Sequence, residues 1–291
     1  MPQSERESSQ AVGVATPSAL LLVGAVLTSG CALFNALTPE RRPAAEPRPA
    51  AAPDAEVRST TEAPDVALST EDDFVVRVVA GVITCSGALI AADRVLTAHH
   101  CVAARSENGH IEPKDIDPSG VRVELGGGHL PWGDVGVRAI VAPDCGHAAG
   151  DGDIAILVLE HPVRGVSVRA PELDRAPSPG DALMPIGFGR CDGSDDGIYR
   201  KFRVGSPIRE VFPNRFQLEA AICPGDSGGP AVSLSDGRIM GVVSRSAMDA
   251  NEATLGLTEL TRLDSFRAVF ATAELVAQGA SPAELPPIDC R

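Results

Sequence analysis

The 291-residue sequence predicts an all-β protein: two six-stranded antiparallel β-barrels followed by one C-terminal α-helix. Three observations carry that expectation. Twelve short apolar runs, rich in Val, Ile and Leu, recur between turn residues, the pattern of strands rather than helices. Only one late segment places its apolar residues at helical spacing. Finally, 44% of the residues are apolar but only 3% aromatic, so the chain can bury a large core built mostly of aliphatic side chains.

The chain opens outside this pattern. Residues 11–30 carry no charge and centre on Leu20-Leu21-Leu22-Val23-Gly24-Ala25-Val26-Leu27, the make-up of an export segment expected over residues 1–31. Thr28-Ser29-Gly30-Cys31 resembles a bacterial lipoprotein cleavage site, where the thiol is lipidated. That resemblance implies an exported cell-envelope protein anchored to the membrane through Cys31. Plain secretion and an uncleaved apolar anchor stay open beside it. Residues 32–72 are dominated by Pro, Ala, Glu, Arg, Ser and Thr without periodicity, so a disordered tether is expected there.

One globular domain is expected over residues 73–291. Its first half holds strands at 75–79, 86–90, 94–97, 121–125, 135–141 and 153–159. A Pro-rich stretch, 170–180, makes the natural crossing to strands at 182–188, 201–204, 216–220, 230–234, 238–245 and 257–263. From about residue 264 a helix follows, capped by Asp264 or Ser265 and stopped by Gly279. Its stripe of Phe266, Val269, Phe270, Leu275 and Val276 is expected to lie on the C-terminal barrel.

Charge and cysteine usage narrow the function. Lys and Arg total 25 against 39 Asp and Glu, a net charge of -14, which excludes a phosphate-neutralising surface and so nucleic acid as a partner. Six cysteines beyond Cys31 fall in the globular part, and an even number in an exported chain implies three disulfides. Zinc is disfavoured, because His99-His100-Cys101 lacks a second pair at ligand spacing. Asp192-Gly193-Ser194-Asp195-Asp196-Gly197 opens like a calcium loop, but its twelfth position is Arg203 where a bidentate Glu is required. It reads as a solvated acidic turn, and neither metal nor cofactor is expected.

Gly225-Asp226-Ser227-Gly228-Gly229-Pro230 carries the chemistry. Its glycines let the backbone turn sharply and aim N–H groups at the space beside a serine hydroxyl, where an oxyanion could sit. The same residues satisfy the nucleophile-elbow pattern, but that fold needs its base after the serine, and all six histidines precede Ser227. A serine hydroxyl needs an imidazole to take its proton and an acid to orient the imidazole. Leu96-Thr97-Ala98-His99-His100-Cys101 offers the first, with Cys85 placed to cross-link Cys101. Asp153-Ile154-Ala155-Ile156-Leu157 offers a carboxylate at the mouth of an apolar strand.

Together these segments resemble the chymotrypsin-like (trypsin family) serine endopeptidases over residues 74–270. The resemblance implies His100 as general base and acid, Asp153 as its orienting carboxylate and Ser227 as nucleophile, with the amides of Gly225 and Ser227 as oxyanion hole. His99, where the family has a small residue, is expected to pack. Ser244 is expected to bond Asp153 from the substrate strand Gly241-Val242-Val243-Ser244-Arg245-Ser246. Ala221 stands where trypsin-like members carry an acid on the pocket floor, Ser246 where glycine is usual, and Arg245 where an aromatic is usual. These imply protein or peptide substrates with an uncharged, small to medium P1 side chain, and a monomer is expected. The Cys85–Cys101 pair fits the resemblance; the remaining cysteines depart from the family, because Cys223 lacks the later partner usual beyond the substrate strand, and Cys191–Cys223 and Cys145–Cys290 are expected in its place.

Many relatives are activated when a cut releases an Ile- or Val-led amino terminus whose ammonium pairs with the residue matching Asp226. No such start lies at the expected distance before Cys85, and Arg77-Val78-Val79 reads as strand. Asp226 therefore needs another partner, because an unpaired buried carboxylate is costly.

Overall fold

The computed structural model describes residues 70–145, 151–191, 198–248 and 254–289. The expected export segment, Cys31, residues 32–69 of the expected tether, the acidic stretch 192–197 and Cys290 lie outside the described residues; the last three tether positions, 70–72, are described and lead into a turn before β1. Among the described residues fifteen strands run in chain order, the first eight being β1 (Val75–Ala80), β2 (Ile83–Ala91), β3 (Arg94–Thr97), β4 (Ala103–Arg105), β5 (Ile111–Asp115), β6 (Val121–Leu125), β7 (Gly133–Val141) and β8 (Ala155–Leu159). The second half adds β9 (Leu183–Gly187), β10 (Lys201–Phe202), β11 (Glu210–Val211), β12 (Arg215–Glu219), β13 (Pro230–Ser233), β14 (Ile239–Met248) and β15 (Thr254–Arg262), then the helix α1 (Arg267–Ala277).

The first half closes into the expected six-stranded antiparallel barrel, in the order β1-β2-β3-β8-β7-β6 with β6 paired back onto β1. Its wall is aliphatic: every residue of β8 is buried, as are Val75, Val76, Leu89, Leu96 and Val123. The second half is a seven-stranded antiparallel sheet, β10-β9-β13-β14-β15-β12-β11. It has one strand more than expected, because β11 is a two-residue edge too short for any alternation to show. The expected strand at 201–204 pairs only at Lys201 and Phe202. A separate hairpin, β4–β5, also lacks the apolar signature, most of its residues being half-buried or exposed.

α1 departs from expectation in three ways. Neither Asp264 nor Ser265 caps it: Asp264 pairs with Arg262, at 2.7 Å, and Ser265 Oγ donates to Pro213 O. Leu275 is exposed, and Ala273 takes its place in the buried stripe with Phe266, Val269, Phe270 and Val276. That stripe packs on the first barrel, against β7 and β8, rather than on the C-terminal half. The helix stops as expected, with Gly279 at φ +108° while Ala280 N–H reaches back to Leu275 O.

Candidate active site

The imidazole comes from the turn after β3. Thr97 Oγ1 donates to Ser86 O at 2.8 Å, holding β3 to β2 as the chain leaves the barrel wall. A 3₁₀ turn follows over His99–Cys101, and a disulfide from Cys101 to Cys85 on β2 pins it. The two histidines point apart. His99 is buried at 1% exposure and its Nε2 lies 2.7 Å from Asp115 Oδ1 on β5, so it packs as expected while joining the turn to the β4–β5 hairpin. His100 faces the other way: its ring Nδ1 stands 2.8 Å from Asp153 Oδ2, and its own amide donates to Asp153 Oδ1 at 2.9 Å. Nδ1–H donation to a carboxylate leaves Nε2 as the ring's acceptor.

Asp153 sits two residues before β8 and is 2% exposed. Ser244 Oγ, on β14, donates to Asp153 Oδ2 at 2.5 Å, and Thr261 Oγ1, on β15, donates to the Asp153 carbonyl at 2.9 Å. Burial pushes this carboxyl up, but the charge of His100 and hydrogen bonds from its ring, from Ser244 and from the His100 amide outweigh burial. Its pKa lies below the ordinary carboxylate value. Asp151 is instead paired with Arg215 at 3.0 Å.

Ser227 lies on the turn between β12 and β13. Gly225 holds φ +101°, with an added Cβ meeting Gly189 Cα at 3.1 Å, so only glycine makes this turn without strain. Bonds internal to the turn run from Asp226 N to Cys223 O and from Gly229 N to Asp226 O, each 2.9 Å. The amides of Gly225 and Ser227 donate to no acceptor among the described residues, the state an oxyanion hole requires. The Ser227 carbonyl lies 3.7 Å from Cys101 Sγ, and His100 Nε2 lies 3.8 Å from the same sulfur. The imidazole edge and the Ser227 carbonyl therefore both lie against Cys101 Sγ. The Ser227 hydroxyl has no hydrogen bond with the described residues; such catalytic bonds commonly tighten only when substrate binds.

The partner of Asp226 is Arg203, which sequence reasoning missed. Arg203 Nη2 stands 2.8 Å from Asp226 Oδ2, with the two side chains 8% and 1% exposed. The carboxylate also accepts from Gly189 N at 2.8 Å and Cys223 N at 2.9 Å. A signal was present: between 201 and 204 the apolar residues Phe202 and Val204 face solvent while Arg203 faces in, an inverted alternation. Arg77 is likewise buried inside β1, paired with Glu124 at 3.0 Å, so the peptide bond after it is part of the barrel wall.

Of the expected substrate residues, Ser244, Arg245 and Ser246 lie on β14, and Ala221 lies between β12 and β13. Ser246 Oγ donates to Leu257 O at 3.1 Å, and Thr258 Oγ1, buried, bridges Ser246 Oγ and Ala220 O. Thr258 is a second residue the sequence reading missed. Ala221 is exposed and adjoins the Cys191–Cys223 disulfide. Arg245, half exposed, is bonded to Glu259. Burial raises the Glu259 pKa, but hydrogen bonds from Arg245 and Gln217 and the charges of Arg245 and Arg215 bring it below the ordinary value. A cleft of ≈ 240 Å³ runs between Arg245, Ser246, Ala247, Leu257 and Glu259. Cys145 is also disulfide-bonded, although its expected partner lies outside the described residues.

A closed antiparallel barrel beside a second antiparallel sheet, with a histidine–aspartate pair facing a Gly-Asp-Ser-Gly-Gly turn, defines the chymotrypsin-like fold. The sequence matches the trypsin family over residues 65–268, and the chain belongs to that family. It is 31% identical to a cercarial protease of Schistosoma mansoni over 191 residues, 55% of this chain and 69% of that one. It is 29% identical to a trypsin of Sarcophaga bullata over 55% of this chain and 67% of that one. Among solved structures, an inactivated protease paralogue of the scabies mite superposes with a TM-score of 0.57 at 16% identity, covering 73% of this chain and 96% of its own. A Glu endopeptidase superposes with a TM-score of 0.56 at 15% identity, covering 71% and 91%. The disulfides fit an extracellular protein.

Proposed function

We propose that this chain is a serine endopeptidase acting through an acyl-enzyme. Ser227 Oγ attacks the scissile carbonyl carbon while His100 Nε2 takes the hydroxyl proton. The oxygen, now carrying the negative charge, is held by the amides of Gly225 and Ser227. As the C–N bond breaks, His100 returns the proton to the departing amine. Water then repeats the sequence and frees Ser227. The observation that carries this reading is the Asp153 carboxylate, buried and bonded at once to the ring and amide of His100 and to Ser244. A buried acid so placed holds the imidazole's tautomer and stabilises the imidazolium formed in the first step.

The uncharged-P1 reading rests on Ala221, which puts no acid at the position where trypsin-like members carry one; Thr258 Oγ1 lies 3.3 Å from Ser246 Oγ and 3.2 Å from Ala220 O, and Glu259 lines the cleft beside Ser246. A second reading, a catalytically silent binding protein on the same scaffold, is favoured by the lack, among the described residues, of a bond from the Ser227 hydroxyl. A fluorophosphonate probe separates the two. The first reading expects covalent labelling of the wild type and none of Ser227→Ala. An unlabelled wild type supports the second. A peptide library cleaved chiefly after Arg would overturn the P1 assignment alone.

A further inference from the structure

We infer that an exposed apolar patch of Leu130, Trp132 and Tyr199 seats the globular domain on a zwitterionic lipid surface, a contact separate from attachment through Cys31 and from the chemistry at Ser227.

Two segments build the patch. Trp132, on the loop between β6 and β7, lies over Gly126, where an added Cβ would stand 2.5 Å from the indole Cδ1, and its amide donates to Leu125 O at 3.0 Å. The ring is held against the backbone of its own loop yet is 58% exposed, and Leu130 beside it is 78% exposed. The segment before β10 closes on the same loop. Arg200 N donates to Gly127 O at 3.0 Å, Ile198 N donates to His129 Nδ1 at 3.2 Å, and the Tyr199 and His129 ring centroids are 6.3 Å apart. Tyr199 is 44% exposed. The chain has one Trp and one Tyr, and both are on this patch. Such rings, apolar in body and polar at one tip, favour the boundary between lipid and water.

The incoming chain indicates what the patch faces. Arg200, packed on Gly127, donates from Nη2 to Thr70 Oγ1 at 3.1 Å and from Nη1 to Asp73 at 2.7 Å. Thr70 is therefore fastened beside Gly127, one residue from the glycine under Trp132. Only residues 31–69 separate Thr70 from the uncharged stretch 11–30, which is long enough to cross a bilayer. A flexible chain of that length spans roughly 35 Å, whether the anchor is the stretch itself or the Cys31 thiol. A domain so tethered meets the surface at an effective concentration on the order of millimolar, so a patch too weak to bind lipid alone suffices to dock it.

Size and charge select the occupant. Two half-exposed rings, each about 150–250 Å² when whole, and one leucine amount to a few hundred Å². A stable protein pair buries about 800 Å² on each side, which disfavours a second copy. The nearby cations are already paired, Arg200 with Asp73 and Arg77 with Glu124. With a net charge of -14 the chain gains nothing from anionic headgroups, which leaves zwitterionic lipid.

Trp132 is the reporter, since no other Trp contributes emission. The full chain is reconstituted with phosphatidylcholine vesicles, and wild type is compared with the double variant Leu130→Glu, Tyr199→Glu. Both positions are exposed, so the variant is expected to melt as the wild type does. For the wild type, lipid brominated high on the acyl chain is expected to quench most of the Trp132 emission, and acrylamide quenching is expected to fall severalfold. The double variant, still anchored through its amino-terminal segment, is expected to keep the emission and acrylamide access of the lipid-free protein. A vesicle-bound wild type whose Trp132 stays unquenched by lipid and open to acrylamide overturns the inference. So does equal lipid quenching in the double variant, or a chain that does not float with the vesicles. Trp132 already shielded before lipid is added also overturns it, the occupant then being another part of this chain or, where shielding grows with protein concentration, a second copy.

Discussion

Asp153 shows how much one side chain is asked to do. It is the end point of three hydrogen bonds and one charge pair, so its ionised form is favoured in the fold despite burial. A folded pKa below the unfolded one means that the group contributes stability that is fully present above the unfolded value. That contribution fades as pH falls through the folded value. Asp153→Asn keeps the shape and loses the charge. Its melting temperature is therefore expected to lie below that of the wild type at neutral pH, the gap narrowing as pH falls below the ordinary carboxylate range. The same variant is expected to lose roughly 10^4-fold in kcat, because an amide favours the wrong imidazole tautomer. A constant melting gap from neutral pH to strong acid would show that the carboxylate's ionisation does not carry the difference. This residue was legible in the sequence, since an acid opening a run of buried aliphatics has few other reasons to be there. Arg203 was not: nothing local announces a bond to a residue 23 positions away, and only the outward-facing Phe202 and Val204 betray it.

At the scale of elements, periodicity located the strands that bury one face and missed the short ones without a buried face. β4, β5 and β11 hold two to five residues each, most of them half-buried or exposed, so they carry no clear alternation to read. The helix was legible in position but not in its docking. Chain order favours the half just completed, yet β15 ends at the seam, where Thr261 bonds the Asp153 carbonyl at the mouth of β8. A helix leaving that point lies on the first barrel. It is held there by Arg94 paired to Glu274 and by Arg138 Nη2 donating to the carbonyls of Val276 and Ala277. Phe266, 2% exposed, anchors its start. Phe266→Ala is expected to cost about 3–5 kcal/mol, read as a lower denaturant midpoint with an unchanged slope. Hydrogen exchange should quicken in β7 and β8 before β12 and β15. Exchange that quickens first in the second half would place the helix's packing energy on the wrong partner.

The described residues form two β units, and the proposed site draws side chains from both. His100 and Asp153 come from the first; Ser227 and Ser244 come from the second. The distance between them depends on what crosses the seam, and the most connected group there is Ser86 on β2, fully buried. Its amide donates to Ser227 O at 2.8 Å, its hydroxyl donates to Gly225 O at 2.7 Å, and the same hydroxyl accepts from Phe188 N at 2.9 Å. It thus touches Ser227, the proposed nucleophile, the glycine turn proposed as the oxyanion hole, and the loop bonded by Arg203. Motif spacing could not reveal this, because Ser86 bears no chemistry of its own and its partners lie more than 100 residues away. Ser86→Ala leaves one buried donor and one buried acceptor short of a partner, a loss of about 1–3 kcal/mol. Unlike Phe266→Ala, it should also lower kcat well below the melting temperature, because the Gly225 carbonyl it frees shares a peptide chain with the oxyanion amides. Measuring kcat and melting temperature for both variants decides the matter. Equal kcat in the two, at matched loss of stability, would mean that the halves are held in register by apolar packing alone and that the seam hydrogen bonds do not tune the site.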